Sequence, residues 1–170
     1  MSTNKFLTIS ASGKDTLTTA IASSAGAGDA SKIVSTGTDG RLDPTLMPTG
    51  IGAETEAVLT SEALLAGDFI NLYDNTGTRN CRKAAVDNGR PAHGFVIANF
   101  SSGQTATVYK TGTNTALSAL TPGTEYFLGN NGAVTATPAV AAPAQLIQSL
   151  GYASDATEIL FVFNSPTLIA

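Results

Sequence analysis

Apolar positions in the later two-thirds of this chain fall in short runs, several alternating with polar residues, and each run ends at a turn signal. Phe69 to Tyr73, Asn80 to Ala84, Ala92 to Ala98, Thr105 to Lys110, Glu125 to Leu128 and Ala133 to Thr137 are rich in β-branched or aromatic residues and predict strands. Between them stand Gly77, Gly89, Gly103, Gly112, Gly123 and Gly132, spaced by 12, 14, 9, 11 and 9 residues. That punctuation predicts a mainly β fold, one antiparallel β-sandwich or β-barrel domain. Glu158 to Phe163 is a continuous apolar run bounded by Asp155 and Pro166, the pattern of a strand in the middle of a core. Ala144 to Leu150 fits a helix, with Leu146, Ile147 and Leu150 at helical spacing and Gly151 as its cap, or a strand of ordinary length. The β character of its surroundings favours the strand.

The front of the chain has a different pattern. Leu17, Ala20, Ile21 and Ser24 recur at helical spacing, which predicts one short helix over Asp15 to Ala25 with Asp15 as N-cap. Residues Ala25 to Asp29 read as a flexible joint, and Lys32 to Val34 as a brief strand if something supplies the other edge. Pro44 and Pro48 then exclude regular helix and favour an extended path over residues 39 to 52. Leu42, Leu46, Met47 and Ile51 lie along that path, as pegs for the pockets of another surface or for packing back onto the chain's own globule.

Composition sharpens this division. Ser, Thr, Gly and Ala make up 29 of the first 52 residues, and Phe6 is their only aromatic. Such a segment buries too little apolar surface to offset the entropy of ordering it, so an extended N-terminal arm (1–52) is expected to take its order from a partner. Residues 53–170 have the length and apolar content of one compact domain. Only 13% of residues are charged, well below the roughly 25% of average soluble domains, which points to a surface of Thr, Ser, Asn and Gly or to one covered by neighbouring chains. The net charge of −4 falls entirely on the later domain. Its densest basic group, Arg79, Arg82, Lys83 and Arg90, sits within a net-negative domain, so nucleic acid is not an expected partner. No apolar run approaches the ~20 residues of a membrane helix, and the first residues lack a signal peptide's apolar centre. A cytoplasmically made protein with no membrane partner is expected.

Candidate chemistry is sparse. Cys81 is the only cysteine, which excludes an internal disulfide or a Cys-based zinc site and leaves a small buried residue as the expectation. His93 is the only histidine, and a lone His in an apolar stretch reads as a satisfied core residue before it reads as a base. Ser12-Gly13-Lys14-Asp15 lacks the first Gly and the final Ser or Thr of a phosphate loop. Asp74-Asn75-Thr76-Gly77 lacks the ligands of a calcium loop and reads as a hairpin turn. No catalytic site, cofactor or metal is expected.

Taken together, GAGDASKIVSTGTDGRLDPTLMPTGIG (26–52), AGDFINLYDNTGTRNCRKA (66–84), GRPAHGFVIA (89–98), TATVYKTGTNTALSALTPGTEYFLG (105–129) and QLIQSLGYASDATEILFVF (145–163) resemble tailed-bacteriophage head decoration, cement or head-fibre proteins. The resemblance implies a non-enzymatic virion protein on the outer surface of the capsid, present in many copies, commonly as homotrimers. It implies an arm bound to the major capsid protein, with Leu42, Leu46, Met47 and Ile51 as the candidate anchor. The alternative is a receptor- or glycan-binding module that presents Tyr and Asn on the turns from Gly103 to Gly132 to a host-surface glycan.

Overall fold

The computed structural model describes residues 5–38, 40–47, 54–140 and 143–169. The chain forms two compact units, Met1–Gly52 and Ala53–Ala170, and the protein is mainly β.

In the first unit, β1 (Lys5–Ile9) and β2 (Asp15–Thr19) make an antiparallel hairpin in which Leu7 faces Leu17 and Thr8 faces Thr16. The expected helix over Asp15 to Ala25 is therefore absent. Thr16, Thr18 and Thr19 are β-branched and lose side-chain freedom in a helix, and β1 offers the alternating pattern Leu17 needs. Val34 forms a single parallel bridge with Ile21, so the edge that Lys32 to Val34 required comes from this same unit. The remainder is turn, including single 3-10 turns at Ala27–Asp29 and Pro44–Leu46. None of the described residues in this unit is buried.

The second unit opens with a closed barrel. Its strands are β3 (Thr55–Thr60), β4 (Phe69–Asn75), β5 (Thr78–Lys83), β6 (Gly94–Phe95) and β7 (Thr105–Tyr109), joined in the order β3-β5-β4-β6-β7. The pairings are antiparallel except β3 with β5, where Leu59 and Thr60 run parallel beside Asn80 and Cys81. That parallel ladder departs from the uniformly antiparallel expectation. Sequence neighbours β4 and β5 pair as a hairpin, and β5 then meets β3 in the same direction to close the wall. The strands β8 (Gly112–Asn114), β9 (Glu125–Leu128), β10 (Val134–Thr135), β11 (Leu146–Ile147), β12 (Ser149–Asp155), β13 (Glu158–Phe161) and β14 (Thr167–Leu168) follow. A second sheet runs β10-β9-β12-β13-β8, and β11 pairs with β14.

Neighbouring residues on one strand feed two cores. Ile70 points into the barrel with Val58, Cys81, Val96 and Val108, while Phe69 packs on the other side with Phe95, Leu128, Leu150 and Phe161. Phe69 meets Phe161 edge-on with ring centroids 5.3 Å apart, a favourable geometry for aromatic pairs. Gln148, 1% exposed, ties the edges of this second core. Its Oε1 accepts the Ala92 N–H at 2.7 Å, and its Nε2 donates to the carbonyls of Ala92 and Asn164 at 2.9 and 2.8 Å. The side chain thereby replaces ladder bonds that would otherwise be missing.

The run Glu158 to Phe163 is only half core. Ile159 and Phe161 are buried, but Leu160, Val162 and Phe163 are 53%, 56% and 47% exposed. β13 covers the core with one face only, so a continuous apolar sequence leaves an apolar stripe outside. No helix among the described residues is long and apolar enough to cross a membrane.

Candidate interaction surfaces

The hairpin of the first unit is built around the Ser10 to Lys14 turn. Gly13 takes φ 78° there and donates its N–H to Ser10 O at 2.8 Å, a conformation that glycine adopts without strain. The residues that resembled a phosphate loop are thus a strand connection. One face of the hairpin carries a threonine ladder, with Thr8 Oγ1 2.6 Å from Thr18 Oγ1 and 3.0 Å from Thr16 Oγ1. The opposite face carries Leu7, Ile9 and Leu17, at 69%, 76% and 67% exposure. Sequence reasoning passed over this apolar face. Its signal was present in the alternation Leu7-Thr8-Ile9 and Asp15-Thr16-Leu17-Thr18, obscured by the competing helical spacing of Leu17 and Ile21.

Three of the four anchor candidates gather about one turn. Leu42 and Met47 flank Pro44–Leu46 and are exposed, Leu46 is half-buried within it, and Ile51 lies outside the described residues. Asp43 Oδ1 accepts the Thr45 hydroxyl at 2.6 Å and the Thr45 N–H at 2.9 Å. These bonds hold the Asp43 carboxyl below its ordinary value. Thr45 Oγ1 in turn accepts the Ser24 N–H at 2.8 Å, which pins the turn to the loop after β2.

The second unit carries an open groove of about 640 Å³. One wall is Phe163 stacked on His93, with centroids 6.0 Å apart and planes 28° from parallel. Tyr73 lines the groove as well, and its ring carries the Arg82 guanidinium 4.0 Å from its centroid. Arg79 and Lys110 supply positive charge, and both pair with Glu56, at 3.1 and 2.8 Å. The Lys110 ammonium, and beyond it Arg79, hold the Glu56 carboxyl below its ordinary value against the desolvation it suffers. Glu54 and Asp74 complete the charged rim.

His93 accepts the Leu72 N–H on Nδ1 at 3.0 Å. Burial, aided by the nearby Arg79 charge, pushes its imidazolium to a lower pKa, so the neutral ring with its proton on Nε2 is the form the fold holds. Cys81 is fully buried inside the barrel, and burial pushes its thiol up, away from the reactive thiolate. Among the described residues no group of His, Cys, Asp or Glu is arranged to hold a metal ion.

No protein-family model matches this chain, and no curated protein matches it. Among solved structures it is similar to the N base of head fiber gp8.5 in bacteriophage phi29. The TM-score is 0.41, with 10% identity over 70% of this chain and 95% of that one. It is a loose likeness.

Two further surfaces bear on the sequence expectations. Tyr152, Leu160 and Val162 form an apolar stripe on the outer face of the second sheet, 60%, 53% and 56% exposed, with Glu125, Ser149 and Asn164 beside it. The turns from Gly103 to Gly132, by contrast, do not display their tyrosines. Tyr109 stacks on Phe95 at 5.4 Å, and Tyr126 is buried with its hydroxyl accepting the Thr121 N–H. Asn114 is buried and donates to Gly67 O, whereas Asn130 and Asn131 beside Gly132 are exposed. The basic residues of β5 are engaged too, with Lys83 on Asp68 at 3.1 Å and Arg82 on Asn71 at 3.0 Å.

Proposed function

We propose that this chain is a non-enzymatic virion structural protein that decorates or cements the outside of a bacteriophage capsid, with residues 1–52 fastened to the major capsid protein. The observation that carries this reading is the first unit, which exposes Leu7, Ile9, Leu17, Leu42 and Met47 and holds no buried residue among those described. A two-stranded hairpin without a core is marginal in water, and its apolar face gains free energy only when a second surface covers it. A shell subunit supplies that surface, and many copies on one particle convert modest single contacts into durable attachment. The stripe of Tyr152, Leu160 and Val162 is the surface assigned to association between copies, consistent with the trimer implied by the sequence resemblance.

The test is attachment to emptied phage heads stripped of this protein. The full-length chain is expected to sediment with the heads, and deletion of residues 1–52 to abolish co-sedimentation. A Leu7→Ser/Ile9→Ser double variant is expected to weaken attachment about tenfold or more. Attachment of the truncated domain at full strength would refute the anchor.

A further inference from the structure

We propose that the groove between Tyr73 and the His93–Phe163 stack binds an uncharged saccharide. This site is separate from the capsid anchor and does not depend on it. Its volume, about 640 Å³, falls within the range of small-ligand sites, on the order of 300–1,000 Å³.

The chemistry of the walls selects the ligand. Phe163, stacked on His93 with the planes 28° from parallel and still 47% exposed, supplies apolar ring surface to the groove, and Tyr73 adds an amphipathic ring with a polar tip. A sugar ring has a C–H face that packs on such a facet and a rim of hydroxyls that must both donate and accept. The groove offers both roles: Asp74 accepts, Arg79 and Lys110 donate, and the neutral His93 ring carries an N–H on Nε2.

Charge narrows the class further. Arg79 and Lys110 are already committed to Glu56, at 3.1 and 2.8 Å. With Glu54 and Asp74 also lining the groove, carboxylates match cations in number, and an acidic sugar or phosphate must compete with Glu56 for Arg79 and Lys110. A cationic ligand would face the same two cations. A neutral polyol pays neither penalty. The groove also stands in for the turns from Gly103 to Gly132, where Tyr109 and Tyr126 are turned into the core.

The experiment presents the full-length chain with maltotriose, cellotriose, chitotriose, mannotriose and sialyllactose, read by saturation-transfer NMR and titration calorimetry. Phe163→Ala and Arg79→Gln are compared with the parent. Phe163 lies beyond the end of β13 at 47% exposure, and the Arg79 side chain is 54% exposed, so both variants are expected to fold. At least one neutral trisaccharide is expected to bind, with affinity about tenfold weaker in each variant and an unchanged melting temperature. Failure of every neutral member to bind, equal or stronger binding of sialyllactose, or full-strength binding by both variants would each overturn the assignment.

Discussion

His93 shows how one side chain acquires its properties from distant parts of the sequence. The residue is half-buried, stacked on Phe163 and bonded through Nδ1 to the Leu72 amide, so protonation must break a bond and charge a desolvated ring beside Arg79. Its folded pKa is depressed from the ordinary 6.5. The unfolded chain therefore takes up the proton first as pH falls, and the stability this group contributes is fully present above about 6.5 and lost as pH drops toward the folded value. His93→Gln keeps an acceptor for the Leu72 amide and removes the titration. Thermal melts between about pH 7.5 and 5 are expected to show a falling melting temperature in the parent and a flatter profile in the variant; equal slopes would assign the effect elsewhere. Sequence alone read Cys81 as a buried residue and His93 as a core one; Cys81 is fully buried, whereas His93 is only half-buried and lines the groove. It gave no hint of the Phe163 partner or of the triple hydrogen bonding of Gln148, because neither follows from local spacing.

At the scale of elements, legibility followed how much a strand depends on its own residues. Glu125–Leu128 matches its expected bounds and Thr105–Tyr109 falls one residue short, since alternation alone specifies them. The six turn glycines all have positive φ, the conformation for which turns select that residue. By contrast β8 and β14 are three and two residues long and polar or mixed, and they are strands because β13 and β11 pair with them. Ala92 to Ala98 contributes only Gly94–Phe95 as strand, wedged where the barrel closes. There the absence of a side chain is decisive: a Cβ on Gly94 would sit 2.5 Å from Tyr109 O and 2.9 Å from Val108 Cγ1. Gly94→Ala must push β6 away from β7, and a loss of about 2–3 kcal/mol is expected from such overpacking. Urea denaturation measures it as a lowered midpoint at constant slope, and an unchanged midpoint would mean the closure yields freely.

The two units differ most in what stabilises them when the chain is alone. Ala53–Ala170 contains three clusters of buried apolar residues, whereas the described part of Met1–Gly52 has no buried residue and relies on hairpin hydrogen bonds, a threonine ladder and the Asp43–Thr45 turn. Local opening free energies track this difference in burial. In the free protein the amides of Lys5–Ile9 and Asp15–Thr19 are therefore expected to exchange within about tenfold of unstructured peptide rates, while barrel amides such as those of Ile70 and Val108 exchange only on global unfolding. On the proposed capsid contact Leu7, Ile9 and Leu17 would be covered and opening of the hairpin coupled to detachment, so its amides are expected to slow by about a hundredfold or more. Hydrogen exchange followed by mass spectrometry, on the free chain and on decorated heads, reads both states in one experiment. A hairpin as protected in the free chain as the barrel would show that it needs no partner, and one that stays unprotected on the head would remove the hairpin from the contact. Strong protection gained on the head alone is the signature of a segment whose order is supplied by the surface it binds.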